Sequence, residues 1–108
     1  MTDRELLELA AKADGEVAFD QVGLATVMLR HGEDWNPLTD DGDEARLEAA
    51  LNLWVSWHPD GVLVGFKVCG RATGSVWMEY FDQHDGDKQA ARRRAGVCAA
   101  AEIGKAMP

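Results

Sequence analysis

The chain is poor in the residues on which crosslinked and catalytic proteins most often rely. Its 108 residues include only 2 cysteines, 3 prolines, 3 histidines and 1 tyrosine, and its serines are Ser56 and Ser75. Cys69 and Cys98 form no C-x-x-C pair and have no ligand-type neighbour, which points away from a disulfide framework or zinc site and toward two reduced thiols. Neither serine lies in a G-x-S-x-G elbow, and Cys98 falls on an apolar helical face where a thiol stays protonated, so nucleophilic catalysis has little to use. Gly104-Lys105 lacks the earlier glycine of a phosphate loop and sits within a helix rather than before one. No run approaches the roughly 20 apolar residues that span a bilayer, and Met1-Thr2-Asp3-Arg4-Glu5 contains no apolar signal region. A cytoplasmic, non-membrane protein without a cofactor is expected.

Positive charge is also scarce. With 11 basic against 19 acidic side chains the formal charge is −8, which repels polyanions at long range and disfavours nucleic acid as a partner. Hydrophobic residues at 46% and charged residues at 28% are ordinary for a globular protein. The length suits one domain, residues 1–108, able to bury a core without metals or crosslinks.

Periodicity then divides the chain. Thr2 and Glu5 form a capping box that starts a helix over about residues 3–14, with Leu6, Leu9, Ala10 and Ala13 on one stripe and Gly15 placed to end it. Residues 16–20 read as a short strand with Val17 and Phe19 on one side. Leu24 to Leu29, after Gly23, reads as a second strand and completes a hairpin. From Leu53 the pattern alternates: Val55 and Trp57 share a face, Pro59-Asp60-Gly61 turns the chain, and Val62, Val64, Phe66 and Val68 share another. A turn from Gly70 to Gly74 leads to a third strand with Val76, Met78 and Tyr80 on one side and Trp77, Glu79 and Phe81 on the other. After the polar loop 82–87, a helix over about Lys88 to Met107 carries Ala90, Ala91, Val97, Cys98, Ala101 and Ile103, a face of small side chains suited to lying close to a sheet. Gly96 within it costs roughly 1 kcal/mol relative to Ala, which suggests close backbone approach.

The densest turn and capping chemistry lies between the two halves, in Trp35, Asn36, Pro37, Leu38, Thr39, Asp40, Asp41, Gly42 and Asp43. Asn36 before proline is pushed to an extended conformation, and Thr39 or Asp40 caps a second helix. Asp40, Asp41, Asp43 and Glu44 then sit at the positive end of its dipole, Leu47, Ala50 and Leu51 face inward, and Asn52 terminates it. The tract W-N-P-L-T-D-D-G-D resembles the signature of the phage ABA-sandwich domain family, small phage and prophage proteins of unassigned function. The start T-D-R-E-L-L-E-L-A-A-K-A and the end A-A-A-E-I-G-K-A-M are similar to the family as well, in the same order. Glu44 departs from the commoner pattern, where a small apolar residue is usual. The resemblance implies a sheet layered with helices and a phage or prophage origin, and it carries no catalytic or ligand residue.

The remaining candidates each have a plain alternative. Asp40, Asp41 and Asp43 lack calcium-loop spacing, because the positions one, three and five before Gly42 are Asp41, Thr39 and Pro37; capping explains them better. His31, His58 and His84 form no H-x-x-x-H pattern, and Asp82-Gln83-His84-Asp85 reads as a solvated loop before it reads as a metal site. Of the tryptophans, Trp57 is expected inside, while Trp35 and Trp77 are candidate partner-binding side chains. The cluster Lys88, Arg92, Arg93 and Arg94 is the strongest functional hint, since cations in the opening turns of a helix oppose its dipole. The α-β-β-β-α order around it matches that of double-stranded RNA-binding domains, whereas Asp85, Asp87 and the acidic total favour a salt-bridged surface.

The expected fold is α+β, one antiparallel sheet of four to five strands layered with three helices in the order α-β-β-α-β-β-β-α. The expected function is that of a non-catalytic phage or prophage accessory protein with an unidentified protein partner. A duplex nucleic-acid binder using the last helix is the alternative. A third, raised by the phage context, is an anti-defence protein that binds a host protein or a small signalling molecule.

Overall fold

The computed structural model describes residues 1–66 and 76–108. Their order is α1 (Asp3–Asp14), β1 (Val17–Val22), β2 (Ala25–Arg30), β3 (Glu33–Asp34), α2 (Asp41–Leu51), β4 (Trp54–Trp57), β5 (Gly61–Gly65), β6 (Val76–Tyr80), a 3-10 turn (Phe81–His84) and α3 (Lys88–Ala106). The α+β class is therefore as expected. Val68, Cys69, Ser75 and the turn from Gly70 to Gly74 lie outside the described residues.

Local chemistry sets the element boundaries. The Thr2 hydroxyl accepts the Glu5 N–H at 3.2 Å while the Glu5 carboxylate turns back to Thr2, and Gly15 ends α1 at φ 82°. Gly23, at φ 62°, opens the two-residue loop that joins β1 to β2, a first loop position that a II′-type hairpin reserves for glycine. Asp40 caps α2 by accepting the N–H groups of Gly42 and Asp43, and Asn52 stops it in the left-handed conformation at φ 58°. The inward face of α2 differs from expectation at one position. Leu47 is buried and Leu51 half-buried, but Ala50 is exposed, and the remaining inward places belong to Asp43 and Glu44. These residues follow one helical stripe, 44, 47, 48 and 51, which passes Ala50 by.

The single sheet of four to five strands is corrected to two antiparallel sheets of three strands each among the described residues, ordered β1-β2-β3 and β4-β5-β6. The long last helix accounts for the division, because α3 is buried on two sides. One side carries Val97, Cys98, Ala100 and Ala101 into a core with Leu6, Ala10, Ala11, Met28, Trp35 and Leu47. The other sets Ala91, Ala95 and Ala99 against Val62, Val64 and Phe81. A helix with small residues nearly all round is the sequence form of such a shared wall.

Close approach is enforced at two glycines of α3. A Cβ on Gly104 would meet the backbone carbonyl of Leu9 in α1, and one on Gly96 would meet the Glu44 carboxyl of α2. The small-residue face thus lies against helices as well as against a sheet. Its far end is tied to α1 by Lys12, whose Nζ donates to the Met107 carbonyl at 2.8 Å.

Candidate partner-binding surface

The basic opening of α3 is held by carboxylates. Arg92 donates through Nε and Nη2 to Glu48 at 3.1 and 2.9 Å and lies 3.7 Å from Glu44. Arg93 bonds Asp41 at 2.6 Å and the Leu38 carbonyl at 2.9 Å. Arg94 reaches Asp3 at 2.8 Å and Glu79 at 3.8 Å. Lys88 stands over the Phe81 ring, 5.5 Å from its centroid. The three arginines therefore tie α3 to α1, α2 and β6. Asp87, as N-cap, accepts the N–H groups of Gln89 and Ala90, which offsets the cations so near the helix start.

The tryptophans are arranged differently from expectation. Trp35 is 3% exposed and belongs to the core shared by α1, α2 and α3, so it presents no ring to a partner. Trp77 is 39% exposed, with its indole N–H on Glu79 at 2.7 Å. Trp57, expected inside, is 46% exposed, because it ends the short strand β4 at the rim of its sheet. Its ring lies 6.1 Å from that of Phe81 and 6.0 Å from the Arg92 guanidinium.

Turn chemistry fixes the W-N-P-L tract to α2. The Asn36 side chain accepts the Leu38 N–H at 3.1 Å, its carbonyl receives the Asp40 N–H at 3.0 Å, and its own N–H donates to the Asp43 carboxylate at 2.9 Å. Asp43 also holds Arg46 at 2.7 Å. The acidic residues are thus engaged as caps and turn partners. Among the described residues no three His, Cys, Asp or Glu side chains are grouped to hold a metal ion, and no helix is long and apolar enough to cross a membrane.

Among the described residues the β1–β2 hairpin departs from a closed surface. From Ala18 to Val22, β1 is exposed on both faces, with Phe19 50% and Val22 62% exposed and Leu24 fully so at the tip. Among the described residues β1 pairs only with β2, leaving its outer edge open. The other edge of β2 is covered by β3 only at Leu29 and Arg30. Beyond them Trp35 N–H donates to the Met28 carbonyl at 3.0 Å and the Arg4 guanidinium to that of Thr26 at 3.2 Å. A cleft of about 290 Å³ opens there between Arg4 and Leu7 of α1, Val27 and Met28 of β2, and residues 34–36. The expected pairing of Val17 with Phe19 on one side is present, but only Val17 is half-buried. A signal was available: a hairpin apolar on both faces has more apolar surface than a single core contact can cover.

One buried acid also escaped the sequence reading. Glu44 is 3% exposed, and its Oε1, against Gly96, has no hydrogen-bond partner among the described residues. Burial, followed by the hydrogen bond and charge of Glu48, pushes its carboxyl up to about 9, outweighing the opposing charge of Arg92. Burial also acts to raise Glu48, yet the hydrogen bond with Glu44 and the Arg92 guanidinium outweigh it and hold that carboxylate below its ordinary value. The pair is a carboxylic acid beside a carboxylate. The stripe Glu44, Leu47, Glu48 and Leu51 would have revealed it, since it places two acids on the apolar side of a short helix.

Nucleophile chemistry is sparse. Burial pushes the free Cys98 thiol up to about 11, which leaves it unreactive at neutral pH. Ser56 Oγ lies 3.3 Å from His58 Nε2, but among the described residues no third side chain hydrogen-bonds the His58 ring to orient it, as an activated hydroxyl requires. His84 is taken up by Glu79 at 2.9 Å and His31 by Glu16 at 2.8 Å. No protein-family model, no curated protein and no solved structure matches the chain.

Proposed function

We propose that this chain is a small, non-catalytic interaction protein of phage or prophage origin, and that the β1–β2 arm is its docking surface. The carrying observation is the exposure of Phe19, Val22 and Leu24 together on a hairpin that adds only Met28 and the flank of Val17 to a core. Phe19 lies on one face of the arm, Val22 on the other and Leu24 at its tip; apolar side chains gathered in solvent on one element point to an interaction site, and an arm that contributes little packing has no other evident reason to be apolar. The origin rests on the resemblance of the W-N-P-L-T-D-D-G-D tract. Absence of catalysis is supported by the capping and ion-pairing roles of Asp40, Asp41, Asp43 and Glu48, the pairing of His31 and His84 with carboxylates, and the burial of Cys98.

Affinity capture from bacterial cells carrying a related phage or prophage is the test, comparing the natural chain with a Val22→Ser, Leu24→Ser variant. Loss of a recovered host or phage protein with the variant supports the proposal. Identical recovery by a folded variant sinks it.

Duplex nucleic-acid binding is the second reading, favoured by the order α2-β4-β5-β6-α3 with basic residues opening the last helix. It requires Arg92, Arg93 and Arg94 to leave their carboxylates, which costs affinity that four cations on a −8 chain are poorly placed to supply. Titration with duplex RNA at two salt concentrations is expected to show no binding. Salt-sensitive binding that Arg92→Glu, Arg93→Glu abolishes would raise this reading above the first. An anti-defence role is a more specific form of the docking proposal, its partner then a host protein.

A further inference from the structure

Building on the arm as docking surface, we propose that its occupant is an extended segment carrying lysine or arginine, which adds as a new strand along the outer edge of β1 and sets its cation against Asp20. The hairpin geometry assigns the edge. A two-residue loop makes Val22 and Ala25 the closing hydrogen-bonded pair, and pairs alternate along the ladder, so Ala18, Asp20 and Val22 direct their backbone groups toward β2. Val17, Phe19 and Gln21 then direct theirs outward. Gln21 bears this out, because its N–H donates to the side-chain carboxylate of Asp20 at 2.9 Å.

Asp20 therefore guards the edge by occupying an outward donor that a new strand would need, one of the ways in which natural edge strands resist indiscriminate pairing. The carboxylate is exposed and makes no ion pair among the described residues. The nearest cation on the paired strand, Arg30, is engaged by Asp14 at 3.3 Å and Glu16 at 3.2 Å. A strand that brings its own cation draws the carboxylate away from Gln21 and frees that N–H for the ladder. A neutral or acidic strand leaves the donor occupied and an uncompensated charge beside it. Ala18 and Val22 share the face of Asp20, so apolar residues two places either side of the cation fit, and a bulky residue opposite Phe19 covers the other face.

Charge also decides against a second copy as the occupant. Val17–Val22 contains neither lysine nor arginine, so no register of β1 against another β1 offers Asp20 a cation, and each copy carries −8. The class of partner is a basic extended segment, recognised by strand addition with alternate side chains as specificity elements.

The test uses two synthetic peptides, one alternating valine with lysine and the other valine with glutamate, and amide hydrogen exchange read residue by residue. With excess valine–lysine peptide, exchange at Val17, Phe19 and Gln21 should slow by about tenfold while β5 is unchanged, and the valine–glutamate peptide should protect neither. Asp20→Asn should weaken binding by about fivefold and remove most of its salt dependence. Asp20→Lys, which leaves the backbone edge intact, should reverse the preference toward the glutamate peptide. Gln21→Pro removes an outward N–H, together with the exposed side-chain bond from Gln21 Nε2 to Thr26 Oγ1, and should abolish protection by the lysine peptide at Val17 and Phe19, whereas Gln21→Ala, which removes that bond alone, should keep it. Equal protection by both peptides, or none by either, overturns the assignment of a basic strand. Binding that survives Gln21→Pro but fails in Val22→Ser, Leu24→Ser also overturns it, yet leaves the arm as a docking surface, so the two proposals fail separately.

Discussion

Strands β5 and β1 are of similar length and belong to sheets of three strands each among the described residues, but Val62 and Val64 of β5 are fully buried whereas Phe19 and Val22 of β1 are half exposed or more. The difference follows from what each strand meets. β5 is the middle strand of its sheet and lies against the alanines of α3, so its alternate valines fill a core. β1 is an edge strand that α1 touches only near Val17, so its side chains gain little from folding. Apolar residues that the chain itself leaves in water are those available to bury something else, which favours the arm over the ion-paired start of α3 as the proposed docking surface.

The comparison can be broken at its strongest point. Gly104→Val would drive a side chain into the Leu9 backbone, and Val62→Ala would empty part of the core beneath β5. Each should lower unfolding free energy by about 2–4 kcal/mol in chemical denaturation. A small loss for both would mean that α3 is not the wall on which the two cores depend.

Next in size is the buried acid. The carboxyl of Glu44 is raised in the folded chain, so its favourable contribution is complete below the unfolded value near 4.5 and is lost as pH climbs toward about 9. Glu48 is shifted the other way, and its contribution disappears only as pH falls through its lowered folded value. Between about pH 5 and 9 stability should therefore decline with rising pH. Glu44→Gln should flatten the decline and stabilise the chain at pH 8 by about 2 kcal/mol. Parallel pH profiles for the two proteins would refute a protonated Glu44.

Smaller effects sharpen the contrast. Asp40→Ala removes the cap of α2 and should cost about 1 kcal/mol in thermal or denaturant unfolding. Val22→Ser with Leu24→Ser should change stability by less than about 0.5 kcal/mol, as expected of side chains already in water. A larger loss would show that the arm is part of the packed structure and unavailable for docking.

Helix positions were legible in the sequence because their signals are local: the Thr2–Glu5 box, Gly15, the cap before Asp41 and Asn52 each act within a turn. The alternation of Val62 with Val64 likewise disclosed a one-sided strand. Sheet membership was not legible, because nothing in β2 or β4 records that α3, which begins far later in the chain at Lys88, lies between them. Burial at Trp35 and exposure at Trp57 were interchanged for a similar reason: tryptophan reads alike in both settings, and only the short length of β4 and the fold of the 34–36 segment decide. The arginine cluster showed its charge plainly but not its partners, since Asp3, Asp41 and Glu48 come from distant parts of the chain. The arm's apolar content on both faces was visible and hinted at incomplete cover, but which of its residues stay in water was decided by the position of α1.

The position of α3 between two cores has a consequence for synthesis. Leu6, Ala10 and Leu47 leave the ribosome long before Val97 and Ala101, and Val62 and Val64 before Ala95 and Ala99. Neither core can close on the emerging chain until residues 91–104 arrive, so the earlier helices and strands wait with apolar faces open, held by caps and turns rather than by packing. Asp20 on the unpaired edge of β1 then has a use before any partner is met, because it discourages nascent strands from pairing with one another during that interval.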